Sequence, residues 1–174
     1  MLYGLMRDRG YYSGFMVDAI SAVDCALWDI AGKHFGVPVY KLLGGAYRTE
    51  IPAYISGLPV AGLDEKVALA LSWKEKGFKA IKLQIGYGMD EDIRIMRALR
   101  EALGADFKLM IDAHWNYTVA QAVKLAHRLE ELDVEFLECP LDPEDLAGYS
   151  ELAATVSIPV TLGEADRTHC PYKD

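Results

Sequence analysis

Cysteine is scarce in this chain of 174 residues: there are three, Cys25, Cys139 and Cys170. So sparse and odd a count builds no disulfide framework, and none of the three has zinc-site spacing, so a reducing compartment is expected. Cys25 falls inside a helical apolar pattern and reads as core packing. Basic residues are also short. Lys and Arg number 18 against 26 Asp and Glu, a formal net charge of −8. A nucleic-acid surface needs the opposite sign, so no nucleic-acid partner is expected. No run of about 18 uncharged apolar residues occurs, which removes a membrane span from the expectation. The opening MLYGLMRDRGYYSG lacks the charge and cleavage pattern of a signal peptide. The expected location is cytoplasmic. Gly-x-Gly-x-x-Gly and P-loop patterns are missing too, which takes away the usual support for a nucleotide-binding sheet.

What the chain does have is apolar residues, at 52%, enough to build a domain with a core. Val17 to His34 reads as a helix, with Val17, Ile20, Val23, Leu27 and Ala31 at three- and four-residue steps. Gly36 and Pro38 stop it. Beyond a Gly-Gly pair at 44–45 the pattern becomes regular. Strand candidates are IPAYIS (51–56), FKAIKLQI (78–85), FKLMIDA (107–113), VEFLE (134–138) and IPVTLGE (158–164). Helices are predicted between them. Asp64 caps one that runs to about Lys76, Asp90 opens a second that Gly104 closes, Thr118 and Gln121 form a capping box for a third, and Asp142-Pro143 starts a fourth. Strands alternating with helices imply a parallel sheet.

Acids recur at the strand ends. Asp112 and Glu138 are 26 residues apart, and so are Glu138 and Glu164. A (β/α)₈ barrel has roughly 31 residues per unit, and its strand ends converge on one face. An open doubly wound sheet fits the alternation but predicts no repeated acid. Three carboxylates brought together repel one another, and a hard divalent cation relieves that. Oxygen ligands favour Mg²⁺ over zinc.

The runs ALWDIAGKHFGVPVYKLLGG (26–45), IPAYIS, IKLQIGYG (81–88), LMIDAHW (109–115), FLECPL (136–141) and TLGE (161–164) resemble, in order, the capping-domain end and first five barrel strands of mandelate racemase-like enzymes of the enolase superfamily. The resemblance implies an α/β fold. It is a partial TIM-type barrel of about five βα units (49–174), preceded by a helical remnant of the capping domain (1–48). It implies Mg²⁺, with Mn²⁺ as a substitute, on Asp112, Glu138 and Glu164. It also implies abstraction of the proton next to a substrate carboxylate by a Lys or His base. Gly163-Glu164 looks like the mandelate racemase branch, which includes many acid-sugar dehydratases; muconate-lactonizing members usually carry Asp there.

Several residues depart from the family pattern. The second strand usually ends Lys-x-Lys, but here it reads Lys82-Leu83-Gln84. Gln84 takes no proton and is a candidate to hydrogen-bond a polyol. Lys82 is either a base or a charge that balances the acids. The third strand usually reads Asp-x-Asn. Here His114 stands two residues beyond Asp112, in phase with it on a strand, as in mannonate dehydratase-like members. Histidine suits acid/base work, so His114 is either catalytic or structural. Cys139 replaces the second acid of Glu-Glu-Pro and points away from Glu138. Asn116, Trp115 and Tyr117 either line a pocket or pack the loop. Arg167 either binds a substrate carboxylate or lies on the surface. His34 and His127 sit on helices and read as solvated or packed, and His169 has no reading.

The expected function is Mg²⁺-dependent dehydration of an aldonic or aldaric acid, active in a longer form that holds the remaining strands. The alternatives are a hydroxy-acid racemase or epimerase, or a non-catalytic descendant that binds metal or ligand. The expected partners are a small carboxylate substrate and further copies of the chain. Five strands expose sheet edges, so the 174-residue chain is expected to oligomerise or unfold readily. A monodisperse monomer by light scattering with a sharp two-state melt would overturn that.

Overall fold

A computed structural model describes residues 2–11 and 14–168. His169 and Cys170 lie outside them. The chain divides into two compact units, one of Met1–Ile51 with Asp166–Asp174 and one of Pro52–Ala165.

The first unit is helical, with α1 (Leu2–Arg7), α2 (Phe15–Phe35) and α3 (Val39–Leu42). The 3.6-residue apolar spacing makes α2, and Gly36 ends it at a φ of 65°, a left-handed conformation that glycine adopts without a Cβ clash. Cys25 is exposed rather than packed in a core. Its neighbours on the apolar pattern, Val23 and Leu27, are 50% and 53% exposed. Helical spacing identifies which face is apolar but not whether the chain covers it.

The second unit contains β1 (Ile55–Ser56), α4 (Leu63–Glu75), β2 (Ala80–Gln84), α5 (Met89–Leu103), β3 (Lys108–Asp112), α6 (Val119–Glu130), β4 (Val134–Glu138), α7 (Leu146–Thr155) and β5 (Val160–Thr161). The strands lie in the order β1-β2-β3-β4-β5, every neighbouring pair parallel. This is the expected α/β architecture, successive strand–helix units of a TIM-type barrel. Ile81, Leu83, Leu109, Ile111 and Leu137 point to the helix side, where Ile93, Met96, Leu99, Leu125, Leu129 and Leu152 complete the core. Alternation therefore turns Lys82, Gln84, Asp112 and Glu138 to the other face of the sheet.

Several boundaries differ from the sequence reading. β1 and β5 are each two residues long, because the flanking residues leave the ladder for loops. Gly62, not Asp64, caps α4, with its N–H donating to Glu65. Gly88 precedes α5, and Asp92 rather than Asp90 holds the loop before it. α7 starts after Asp145, whose carboxylate accepts the Gly148 N–H at 2.9 Å, whereas Asp142 accepts from Glu144 in a local turn. The Thr118–Gln121 capping pair forms as read, with the Gln121 Oε1 accepting the Thr118 N–H at 3.0 Å.

At the end of the sheet where the strands begin, two side chains hold the loops. The Arg100 guanidinium donates to the carbonyls of Gly104, Ala105 and Phe107 in the α5–β3 loop. It also donates to those of Leu132 and Asp133 in the α6–β4 loop. Glu130 accepts the N–H groups of Ser157 and Ile158 before β5. The pairing with His127 Nδ1 at 3.0 Å, followed by those two backbone bonds, outweighs burial and holds the Glu130 carboxyl below its ordinary range.

Charge-assisted bonds of this kind each contribute roughly 1.5–3 kcal/mol. Arg100→Met is expected to lower stability by about 2 kcal/mol, read as a shift in urea midpoint. Arg94→Met, which removes only an exposed pair with Glu91, is expected to leave the midpoint where it was. Equal shifts for the two variants would sink the assignment of Arg100 as a clamp.

Candidate metal centre

The strand ends place the acids. In the parallel register Gln84 pairs with Asp112, Asp112 with Glu138, and Glu138 with Thr161, so these four side chains form one row. The ladder continues one residue past the row: Ile85 N–H donates to Asp112 O, Ala113 N–H to Glu138 O and Cys139 N–H to Thr161 O, at 2.8–2.9 Å. These bonds fix the spacing of the acid-bearing strands. The chain then turns sharply. His114, Trp115 and Cys139 have φ of 46°, 62° and 46°, and Gly163, just before Glu164, has 124°. Left-handed backbone is costly for residues with a Cβ, and here it clusters beside all three acids.

Asp112, Glu138 and Glu164 come together: one carboxylate oxygen from each lies within 4.8 Å of the others. Asp112 is buried at 4% exposure, the Glu138 side chain is 20% exposed and the Glu164 side chain 40%. Lys82 Nζ is 2.7 Å from Glu138 Oε2 and 3.3 Å from Asp112 Oδ2. Burial pulls the Lys82 ammonium down. The hydrogen bond and charge of Glu138, then those of Asp112, outweigh it, so the net shift is upward.

His114 reaches the same place by a different route from the one expected. The strand stops at Asp112, and a left-handed turn, not strand alternation, carries His114 over the site. Its N–H donates to Asp112 Oδ1 at 3.1 Å, its Nδ1 stands 3.9 Å from Glu164 Oε1, and its ring stacks on Trp115 at 4.5 Å. Cys139 is buried. Burial, then the charges of Glu164, Glu138 and Asp112, push its thiol up to about 11 against one opposing bond from the Glu164 backbone, so it remains a thiol.

Gln84 is exposed on the row and borders a cavity of about 400 Å³ with Ser56, Leu58, Val60, Lys66 and Tyr87. Asn116 uses its amide to brace its own turn, donating to Ala113 O at 3.0 Å. It also packs over Gly86, where a Cβ would fall 2.4 Å from its Nδ2. Arg167 belongs to the helical unit and donates to Asp18 at 2.8 and 3.2 Å. Those hydrogen bonds, against slight burial, hold the Asp18 carboxyl below its usual range.

One organising residue escaped the sequence reading. Asp92 is fully buried and accepts the N–H groups of Gly86 and Tyr87 and the hydroxyl of Tyr117. It thereby joins the β2–α5 turn to the β3–α6 turn. Burial and then the Asp92 bond push the Tyr117 hydroxyl well above its ordinary range. The signal in the sequence was an acid in a helix first turn, which ordinarily reads as exposed.

Three carboxylates and one ammonium leave the cluster short of positive charge. All the donors are hard oxygens, and three protein ligands leave positions open on a six-coordinate ion. That donor set fits Mg²⁺.

Residues 65–174 match the family model described as enolase C-terminal domain-like. Residues 4–44 match that of the mandelate racemase / muconate lactonizing enzyme N-terminal domain. D-galactarolactone cycloisomerase of Agrobacterium fabrum is 39% identical over 168 residues, covering 94% of this chain and 44% of that protein. Arabinonate dehydratase of Saccharolobus solfataricus is 40% identical over 166 residues, covering 91% of this chain and 43% of that protein. Among solved structures, an enolase-superfamily member from Agrobacterium tumefaciens aligns with a TM-score of 0.91 at 40% identity, covering 99% of this chain and 44% of that one. An enolase from Bradyrhizobium complexed with magnesium and mandelic acid aligns with a TM-score of 0.82 at 34% identity, covering 94% and 45%. The chain thus spans less than half the length of these relatives. No helix among the described residues is long and apolar enough to cross a membrane.

Removing one ligand tests the triad. Glu138→Gln keeps the shape and removes the charge. It is expected to weaken Mg²⁺ binding by at least the 10- to 100-fold that loss of a supporting partner typically costs, measured by calorimetry. Equal affinity for wild type and variant would rule the triad out.

Proposed function

The chain belongs to the mandelate racemase / muconate lactonizing enzyme family, and from that premise we propose that Asp112, Glu138 and Glu164 hold Mg²⁺, Mn²⁺ being the natural substitute, in an enzyme that abstracts the proton next to the carboxylate of an acid sugar. The observation that carries this reading is the convergence of the three acids within 4.8 Å, two on strand ends and Glu164 three residues past the last one. We assign residues 1–48 to the end of the capping domain and 49–174 to the first five barrel strands.

The cation, when bound, supplies the positive charge that stabilises a developing enediolate. The remaining roles belong to side chains. Lys82 lies between Asp112 and Glu138 and keeps two acids together before substrate arrives. His114 extends over the site beside Glu164, and we assign it the proton of the substrate or of the departing hydroxyl, with Lys82 as the other candidate for the proton on carbon only once its ammonium has given up its own proton. Gln84, on the same row as Asp112 and at the mouth of the adjoining cavity, offers both a donor and an acceptor to a polyol hydroxyl. Asn116 supports the turn that carries His114, and its carbonyl oxygen remains available to substrate. Arg167 is proposed as a carboxylate partner only where a substrate displaces Asp18.

Dehydration follows if the hydroxyl on the next carbon leaves as water. The named arabinonate dehydratase favours this outcome for an aldonic or aldaric acid. The named cycloisomerase favours a second reading, in which the same proton is removed from a lactone and a ring oxygen leaves. Either would be an activity of the whole protein.

The test uses the full-length protein with Mg²⁺ on a panel of aldonic acids, aldaric acids and their lactones. Proton–deuterium exchange at the carbon next to the carboxylate is followed by NMR, and 2-keto-3-deoxy products are assayed. Exchange with at least one acid sugar is expected. His114→Asn should reduce turnover by about 10²- to 10⁴-fold, the usual contribution of a general acid or base. The 174-residue chain alone should show little turnover. No exchange with any hydroxy acid would leave the non-catalytic alternative standing.

A further inference from the structure

Thr161 ends β5, and its hydroxyl oxygen is buried with no hydrogen-bond partner among the described residues. No other side-chain N or O is in that state among them. Buried hydroxyls in folded proteins are almost always bonded, and leaving one unpaired costs stability. An orphan therefore needs an explanation, and its location supplies one.

Thr161 pairs in parallel register with Glu138, and residues so paired put their side chains on the same face of the sheet. Its neighbour Val160 packs against the helix-side core, which turns Thr161 the other way. The hydroxyl thus extends the row that runs through Gln84, Asp112 and Glu138. Three residues later Glu164 brings its carboxylate within 4.8 Å of the other two. The Glu138 carboxylate on the same row does not hydrogen-bond the Thr161 hydroxyl; its Oε2 is engaged by Lys82 at 2.7 Å. A buried hydroxyl on the row of acids, without a partner among the described residues, calls for one that the protein itself does not supply.

We propose that Thr161 is a positioning residue of the cation site: its hydroxyl hydrogen-bonds a water carried in the coordination shell of a divalent cation, on the Glu138–Glu164 side. Mg²⁺ bound by three carboxylates keeps several waters, and each of those needs acceptors or donors from the wall of the site. Partners of this outer kind orient the ligands and sharpen affinity. The inference rests on the cation site proposed above.

The experiment compares wild type, Thr161→Val, which keeps the shape and loses the hydroxyl, and Thr161→Ser, which keeps the hydroxyl. Mg²⁺ affinity is measured by calorimetry and thermal stability in chelator. Thr161→Val should bind Mg²⁺ about tenfold more weakly, while Thr161→Ser keeps wild-type affinity. In chelator Thr161→Val should melt no lower than wild type, because the substitution removes an unsatisfied buried group. A Thr161→Val protein that binds Mg²⁺ as wild type does would overturn this inference alone. One that melts well below wild type in chelator would also overturn it, by assigning the residue an ordinary packing role. Failure of wild type to bind Mg²⁺ would overturn both this inference and the cation site.

Discussion

Mutual repulsion among Asp112, Glu138 and Glu164 is the constraint that the rest of the second unit answers to. Their oxygens lie within 4.8 Å of one another, and one ammonium, that of Lys82, bridges only two of them. Like charges this close drive their carriers apart unless something holds them. Two things hold them here. The fully buried apolar side of β2, β3 and β4 anchors the strands to the helices. The backbone bonds from Ile85, Ala113 and Cys139 then prolong the ladder past the acids. The left-handed residues at His114, Trp115 and Cys139 are costs the chain accepts in order to turn away just after Asp112 and Glu138.

The legible part of this arrangement was whatever is periodic. Strand–helix alternation, the 26-residue step between acids and the capping pair at Thr118 and Gln121 survive because they depend on neighbours close in sequence or on a repeat. What could not be read depends on partners far apart. Asp92 becomes a buried hub only because Tyr117, from the turn after β3, comes to meet it. Arg100 looks like one more surface arginine until five carbonyls from two loops close on it. His114 comes beside Glu164 through a turn at φ 46°, where strand phase was expected. Cys25 shows the converse failure, in which a clean apolar pattern described a face that is half exposed.

The same unit separates its two tasks by position. Side chains that bind backbone carbonyls or N–H groups, Arg100 and Glu130, lie where the strands begin. Gln84 and the acids Asp112 and Glu138 lie where the strands end. Asp92, Asn116 and Asp145 bind backbone at the opposite end, and of these Asp92 ties two turns to a helix first turn.

The Arg100 clamp also bears on how relatives of this chain can diverge. One guanidinium addresses the α5–β3 and α6–β4 loops at once, so a residue inserted in either would pull its carbonyls off a rigid, planar fork. The lengths of the two loops are thereby coupled, and neither can drift alone. At the opposite end Asp92 joins the β2–α5 and β3–α6 turns, and the N–H groups of Trp115 and Tyr117 donate to the Cys139 and Pro140 carbonyls of the turn after β4. Insertions and deletions should therefore accumulate at the loop beyond β1, leaving the clamped end nearly constant in length.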